Sequence, residues 1–276
     1  MTVKHLILIL LILLSDVTFG NSAKGAYGLY SFEDNSYAVA QNKHEVRSIA
    51  SITKMFTAYT VVKSGVDLNE KVKVNGRSQG HVPSGVYISR LDLLRATIIS
   101  SDNKAAETLA NHHPGGYKKF LADVNHHIDA MSLYNTKIVD STGLLAGNVS
   151  TVFDLIEFLQ NIKDIPVIKE ISNEKHHVIS VPRGKKTVSV NLKNTNPDLF
   201  VYDNILISKT GFTHAAGRCV MMMVENGKNL FAVIVLGQST SKSRSAVVSD
   251  LLNVDTYKAP APKINSTVDY EKLVPL

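Results

Sequence analysis

Among 276 residues there is one cysteine, Cys219, and no tryptophan. A lone thiol excludes an intramolecular disulfide framework and any multi-thiolate metal site. Aromatic residues make up only 7% of the chain, low for a protein that stacks nucleic-acid bases. No H-E-x-x-H sequence occurs, and the histidine pairs His112-His113, His126-His127 and His176-His177 would point about 100° apart on a helix rather than at one ion. No metal and no cofactor are therefore expected. Internal repeats are missing, and 44% hydrophobic with 20% charged residues excludes disorder and collagen-like classes. The length suits one domain, or one domain with an inserted subdomain. Acidic residues are in deficit: 24 Asp and Glu face 30 Lys and Arg, a net charge of +6. That charge fits nucleic acid, an anionic envelope polymer or an anionic membrane, and does not choose among them.

Lys4 and His5 precede an unbroken apolar run, Leu6 to Leu14. As a helix nine residues rise about 14 Å, too short for about 30 Å of hydrocarbon. A basic start, a short apolar core and small residues at Thr18 and Gly20 are the layout of a secretory signal peptide. Cleavage is expected after Gly20, with an uncleaved N-terminal anchor as the alternative. No cysteine follows the run, so lipoprotein anchoring is excluded. Residues 1–20 hold one cation and one anion, so their removal leaves the charge unchanged. No later run is long and apolar enough to cross a membrane, which predicts an exported protein. One unpartnered thiol suits an oxidising space.

Alternation and turn residues predict strands over 26–32 and 37–40, and helices over 51–63, from Ser89 onward, and over 104–111, 117–131 and 152–162. Ser89 with Asp92 and Thr151 with Asp154 have capping-box spacing. Strands follow at 177–181, 187–192, 204–210, 218–225 and 230–236, with Pro182-Arg183-Gly184 as a hairpin turn and Asn226-Gly227 as another. A last helix spans 241–252, and 259–276 reads as an extended tail. Strands open and close the chain while helices fill its middle. That pattern predicts an α+β fold, an antiparallel sheet from both chain ends flanked by helices, with an all-helical subdomain of about 66–174 inserted into a catalytic domain of 21–258. Met221-Met222-Met223 is read as strand packing with Met222 on the outward face, and Cys219 as buried and structural.

Ser51-Ile52-Thr53-Lys54 is an S-x-x-K tetrad. Three residues apart on a helix share a face, so the Lys54 amine can reach the Ser51 hydroxyl. Such an amine acts as a base once its pKa is lowered by burial or a cationic neighbour. A serine in a first helical turn also meets free N–H groups suited to an oxyanion. The tetrad alone is weak, since Ser101–Lys104, Ser172–Lys175 and Ser239–Lys242 fit it too. Ser101-Asp102-Asn103 at the end of an apolar helix and Lys209-Thr210-Gly211 at the end of a strand add an S-x-N and a K-T-G. Their decoys, Ser189-Val190-Asn191 and Lys63-Ser64-Gly65, fall in the wrong order and context.

The ordered set resembles the penicillin-recognising acyl-serine transferases, and among them the low-molecular-mass penicillin-binding proteins, D-alanyl-D-alanine peptidases of the β-lactamase/transpeptidase-like fold. Arg47 to Met55, Leu93 to Ala106, Ser141-Thr142-Gly143-Leu144, Asn148 to Thr151 and Ser208 to Phe212 carry the likeness, and Ala216-Gly217-Arg218-Cys219 resembles the DD-endopeptidase group. The resemblance implies Ser51 as nucleophile, Lys54 as base and Ser101 as proton relay. It implies Asn103, Lys209, Thr210 and Gly211 in support, with Lys209 holding down the Lys54 pKa and Gly211 letting substrate approach the strand. The backbone N–H groups of Ser51 and Phe212 would form the oxyanion hole. Arg218 is a weaker candidate for a substrate carboxylate, with a structural ion pair as its alternative. The implied partners are peptidoglycan stem peptides and, as covalent inhibitors, β-lactams, in the periplasm and without nucleic acid. No Glu lies between Asn135 and Asn148, which argues against a β-lactamase. The short stretch after Gly211 and the lack of a sustained amphipathic pattern in the tail favour endopeptidase over DD-carboxypeptidase. A non-catalytic envelope-binding protein would need a broken motif, and none is broken.

Overall fold

The computed structural model describes residues 25–254; the expected signal peptide and the tail from 259 lie outside them. Strands β1 (Ala26–Ser31) and β2 (Ser36–Gln41) open the chain. Strands β9 (Ile205–Thr213), β10 (Gly217–Asn226) and β11 (Asn229–Gln238) close it. Together they form one five-stranded antiparallel sheet in the order β2-β1-β11-β10-β9. The sheet is thus built from both chain ends, as the alternation predicts. Lys209-Thr210-Gly211 corrects one detail: it lies inside β9, which runs on to Thr213, and β9 is an edge strand.

Helix α1 (Thr53–Lys63) and helix α5 (Val152–Ile162) cover one face of the sheet, and α7 (Ser241–Leu252) covers the other. Phe56 on α1 stacks on Phe158 of α5 at 3.8 Å between ring centroids. Both faces being covered explains why β10 and β11 are nearly continuous apolar runs rather than alternating ones. Met221 and Met223 face the α1 side, while Met222 is buried with Leu199, Val248 and Leu251 on the α7 side. The expectation of an outward Met222 fails because that face is a second core layer. Cys219 is buried, as expected.

Helices α2 (Arg90–Ile99), α3 (Asn103–Asn111) and α4 (Gly116–Ala130) pack on α1. The Ser89 and Thr151 hydroxyls accept from the Asp92 and Asp154 N–H groups, the expected N-caps. Helix α6 (Pro166–Asn173) is absent from the sequence expectation; Pro166 at its start is a legitimate helix signal and Ile168 and Ile171 share its buried face, but at eight residues it is short for a helix to stand out. Two short ribbons pair β3 (Arg47–Ser48) with β6 (Val149–Ser150), and β4 (Lys71–Lys73) with β5 (Tyr87–Ser89). The segment 66–174 is therefore mainly helical rather than all-helical as expected: strands of two or three residues are too short to show alternation. A longer hairpin joins β7 (His176–Arg183) to β8 (Lys186–Lys193). Its turn is Gly184-Lys185 rather than Pro182-Arg183-Gly184, because Pro182 fits an edge strand of a two-stranded ribbon.

Candidate active site

Ser51 sits in a short 3-10 turn, Ala50–Ile52, directly ahead of α1, and Lys54 is in the first turn of that helix. The motif spacing therefore survives a change of helix type at its first residue. The S-x-N serine, Ser101, lies between α2 and α3, where Asp102 caps α3 by accepting from the Ala105 N–H. Ala50 and Ser101 are both left-handed, with φ of 47° and 57°. Such conformations are uncommon for residues other than glycine and gather where surrounding structure enforces them.

Lys54 is completely buried, yet its Nζ has three oxygen partners. These are Ser51 Oγ at 2.8 Å, Asn103 Oδ1 at 2.7 Å and the Thr142 carbonyl at 2.7 Å. Two of the three are pure acceptors, and only the Ser51 hydroxyl can donate. A neutral Lys54 gives its two N–H bonds to Asn103 and Thr142 and turns its lone pair toward the Ser51 proton. Burial lowers the Lys54 pKa to about 7, against the opposing pull of Asp140 and Asp102. At neutral pH a large fraction of Lys54 can therefore accept a proton.

Lys209 is also buried, in mid-strand, with its Nζ donating to the Thr210 carbonyl at 3.0 Å. Burial drives its pKa well down, and the charges of Lys54 and Arg244 push it further. Burial is the leading cause at both lysines, and the like charges of Lys54 and Lys209 disfavour protonating both together. Thr210 Oγ1 lies 2.8 Å from Thr195 Oγ1. Gly211 lines the cleft and has a second steric role beside the expected one. A Cβ there would lie 2.8 Å from the Ile49 carbonyl and 2.9 Å from the Ser51 nitrogen, so the missing side chain makes room for the serine turn itself.

A cleft of about 750 Å³ opens over these groups, lined by Ser51, Ser101, Asn103, Thr210, Gly211 and Phe212. Leu144, Arg218 and Arg244 also line it. The Ser101 hydroxyl makes no hydrogen bond among the described residues and faces this open volume. The Arg218 guanidinium lies 3.7 Å from the centroid of the Phe212 ring. It has no ion pair among the described residues, so the ion-pair alternative is replaced by a cation–π stack.

Three contributors escaped the sequence reading. The Thr142 carbonyl reaches Lys54 from a loop 88 residues away; Ser141-Thr142-Gly143-Leu144 carries part of the likeness, but the role of a backbone oxygen leaves no side-chain signal. Asp140 holds that loop through bonds from Thr142, Gly143, Leu145 and Asn148. Its many polar neighbours were visible, but their convergence was not. Arg244, buried on α7 at the cleft wall, sits in an ordinary-looking Ser-Lys-Ser-Arg helix start. The described residues hold no cluster of metal-binding side chains.

The D-alanyl-D-alanine carboxypeptidase family matches residues 32–240 of the chain. The chain is 33% identical to a D-alanyl-D-alanine endopeptidase of Escherichia coli, over 92% of itself and 80% of that protein. It is 33% identical to a D-alanyl-D-alanine endopeptidase of Pseudomonas aeruginosa, over 71% of itself and 66% of that protein. Among solved structures, an ampicillin-bound penicillin-binding protein of Listeria monocytogenes matches with a TM-score of 0.73 and 27% identity, covering 83% of this chain and 96% of that one. A Streptomyces DD-transpeptidase matches with a TM-score of 0.78 and 22% identity, covering 84% and 96%, and shares the fold.

Proposed function

Because this chain belongs to the D-alanyl-D-alanine carboxypeptidase family of serine DD-peptidases, we propose a specific division of labour among its cleft residues. Ser51 Oγ attacks the carbonyl carbon of a D-alanyl peptide bond, and its proton passes to the neutral Lys54 Nζ. The N–H groups of Ser51 and Phe212 hold the oxyanion that develops. On collapse the C–N bond breaks, and the proton moves from Lys54 through the Ser101 hydroxyl to the leaving amine. An ester on Ser51 remains and is hydrolysed by water. Asn103 and the Thr142 carbonyl fix the amine that serves both transfers. Thr210 and the open edge of β9 bind the substrate backbone, with Lys209 supporting them. Arg218 and Arg244 supply positive charge to substrate carboxylates. A β-lactam follows the same first step, but its amine stays tethered, so acylation persists.

The observation that carries this reading is the Lys54 geometry: two carbonyl acceptors and one hydroxyl, around an amine whose pKa lies near neutrality. For substrate we favour the peptide cross-link of peptidoglycan, acted on in the periplasm after export. Support comes from the endopeptidase names of the two 33%-identical relatives; at 26% identity relatives carry either name. No helix among the described residues is long and apolar enough to cross a membrane. The test is digestion of isolated peptidoglycan followed by muropeptide separation. Loss of dimers with gain of monomers is expected, and conversion of pentapeptides with dimers intact would reassign the enzyme to carboxypeptidase. A fluorescent penicillin should label the protein but not Ser51→Ala.

A further inference from the structure

From Lys175 to Lys193 the chain carries Lys175, Arg183, Lys185, Lys186 and Lys193, and no Asp or Glu. This segment is the β7–β8 hairpin. One of its faces is buried through Ile179, Val181 and Leu192 against the body of the protein, while Val178, Ser180, Pro182 and most of β8 remain exposed. Lys175 and Lys193 at the base are occupied, with Asp203 at 3.1 Å and the Phe200 ring respectively. Lys185 and Lys186 at the tip are exposed and form no ion pair among the described residues. Beside the tip lies the β4–β5 ribbon. Lys71, Lys73 and Tyr87 are all exposed there, and Tyr87 is registered directly opposite Lys73. A groove of about 630 Å³ separates hairpin from ribbon, lined by Lys71, Tyr87, Pro182 and Gly184.

The hairpin is continuous with the cleft. Two residues beyond Lys193, Thr195 lines the cleft wall and meets Thr210. A strand of eight residues spans roughly 25 Å, so the basic tip stands well outside the reach of one stem peptide. A polymeric substrate can occupy cleft and tip at once. Uncompensated lysines beside an exposed aromatic ring suit a polymer that offers carboxylates and the apolar faces of sugar rings.

We propose that the hairpin tip and the β4–β5 ribbon form a docking surface for the anionic glycopeptide polymer, separate from the catalytic cleft. The surface holds a neighbouring, uncleaved part of the polymer while one of its stems is cut. It rests on the DD-peptidase reading for the polymer's identity, but not for the surface itself.

The full chain carrying Lys71→Ser, Lys185→Ser and Lys186→Ser tests this against wild type. Binding to insoluble peptidoglycan is read by co-sedimentation of Ser51→Ala backgrounds, and acylation by fluorescent penicillin is read in parallel on active protein. The expected result is roughly tenfold weaker sedimentation with a flatter dependence on salt, at an unchanged acylation rate. Tyr87→Ala should weaken sedimentation without changing the salt dependence. Wild-type sedimentation by the triple variant overturns the proposal. So does a parallel loss of acylation, which would make these lysines part of the fold rather than a surface. If wild type neither takes up penicillin nor digests peptidoglycan, the catalytic reading fails, and the sedimentation difference still decides the docking surface.

Discussion

Asp140 holds Thr142 by both ends: its Oδ1 accepts from the Thr142 N–H at 2.6 Å and from the Thr142 hydroxyl at 2.7 Å. That grip aims the Thr142 carbonyl at Lys54. Burial by itself would raise the Asp140 pKa, but bonds from Thr142, Leu145 and Asn148 outweigh it and leave the carboxyl below its ordinary value.

Asp140→Ala therefore removes an acceptor of five hydrogen bonds and frees the loop that fixes the base. With bonds to a charged acceptor worth about 1.5–3 kcal/mol each and far from additive, a loss of at least about 3 kcal/mol is expected. Denaturant unfolding measures it. Acylation should fall as well, since Lys54 loses one of its two carbonyl acceptors in the correct place. Wild-type stability in this variant would show that the loop is held by other means.

Gly143 tests the same loop from the other side. Its φ is 84°, and a Cβ there would lie 2.0 Å from the Ala50 carbonyl and 2.9 Å from the Ser51 nitrogen. Gly143→Ala must push the loop and the serine turn apart. A displacement near 1 Å can cost about a hundredfold in rate, so the second-order rate of penicillin acylation should fall by about that factor. The affinity for a non-covalent ligand elsewhere on the chain should stay unchanged.

What the sequence could and could not disclose follows from distance along the chain. Ser51 and Lys54 are one turn apart, and Ser101-Asp102-Asn103 and Lys209-Thr210-Gly211 are contiguous, so each motif is complete within four residues. The five main strands alternate or run apolar long enough to stand out. Thr142, Asp140 and Arg244 reach the cleft only through tertiary folding, and the Thr142 contribution is a backbone atom. Arg218 drew attention because it follows the third motif, but its ring partner Phe212 is brought to it by the β9–β10 register. Met222 was misjudged because a second covered face cannot be told from an open one by strand periodicity.

Cys219 offers a clean readout of folding. Burial pushes its thiol up to about 11, despite opposing contributions from the Gly237 backbone, Arg244 and Arg47. The thiolate is the reactive form, so the folded protein should resist iodoacetamide at pH 8, and one equivalent should react on unfolding. Rapid alkylation of the native protein, with penicillin labelling retained, would contradict a sealed strand position.

Lys54 links activity to stability through one proton. Its folded value of about 7 lies below the value of about 10.4 expected in an unfolded chain. Between those two values the unfolded state binds more protons, so the contribution of Lys54 makes stability rise with pH across that window. Below about 7 both states carry the charge, and the cost of burying it is felt in full. Lys54→Met should therefore abolish acylation while raising the melting temperature, with a larger gain at about pH 6 than at about pH 10. In the wild type, acylation should lose about tenfold per pH unit below 7, because only the neutral amine takes the Ser51 proton. Acylation that is flat from about pH 5 to pH 8 would mean that Lys54 is not the base. A Lys54→Met protein less stable than wild type at every pH would mean that its three hydrogen bonds outweigh the buried charge.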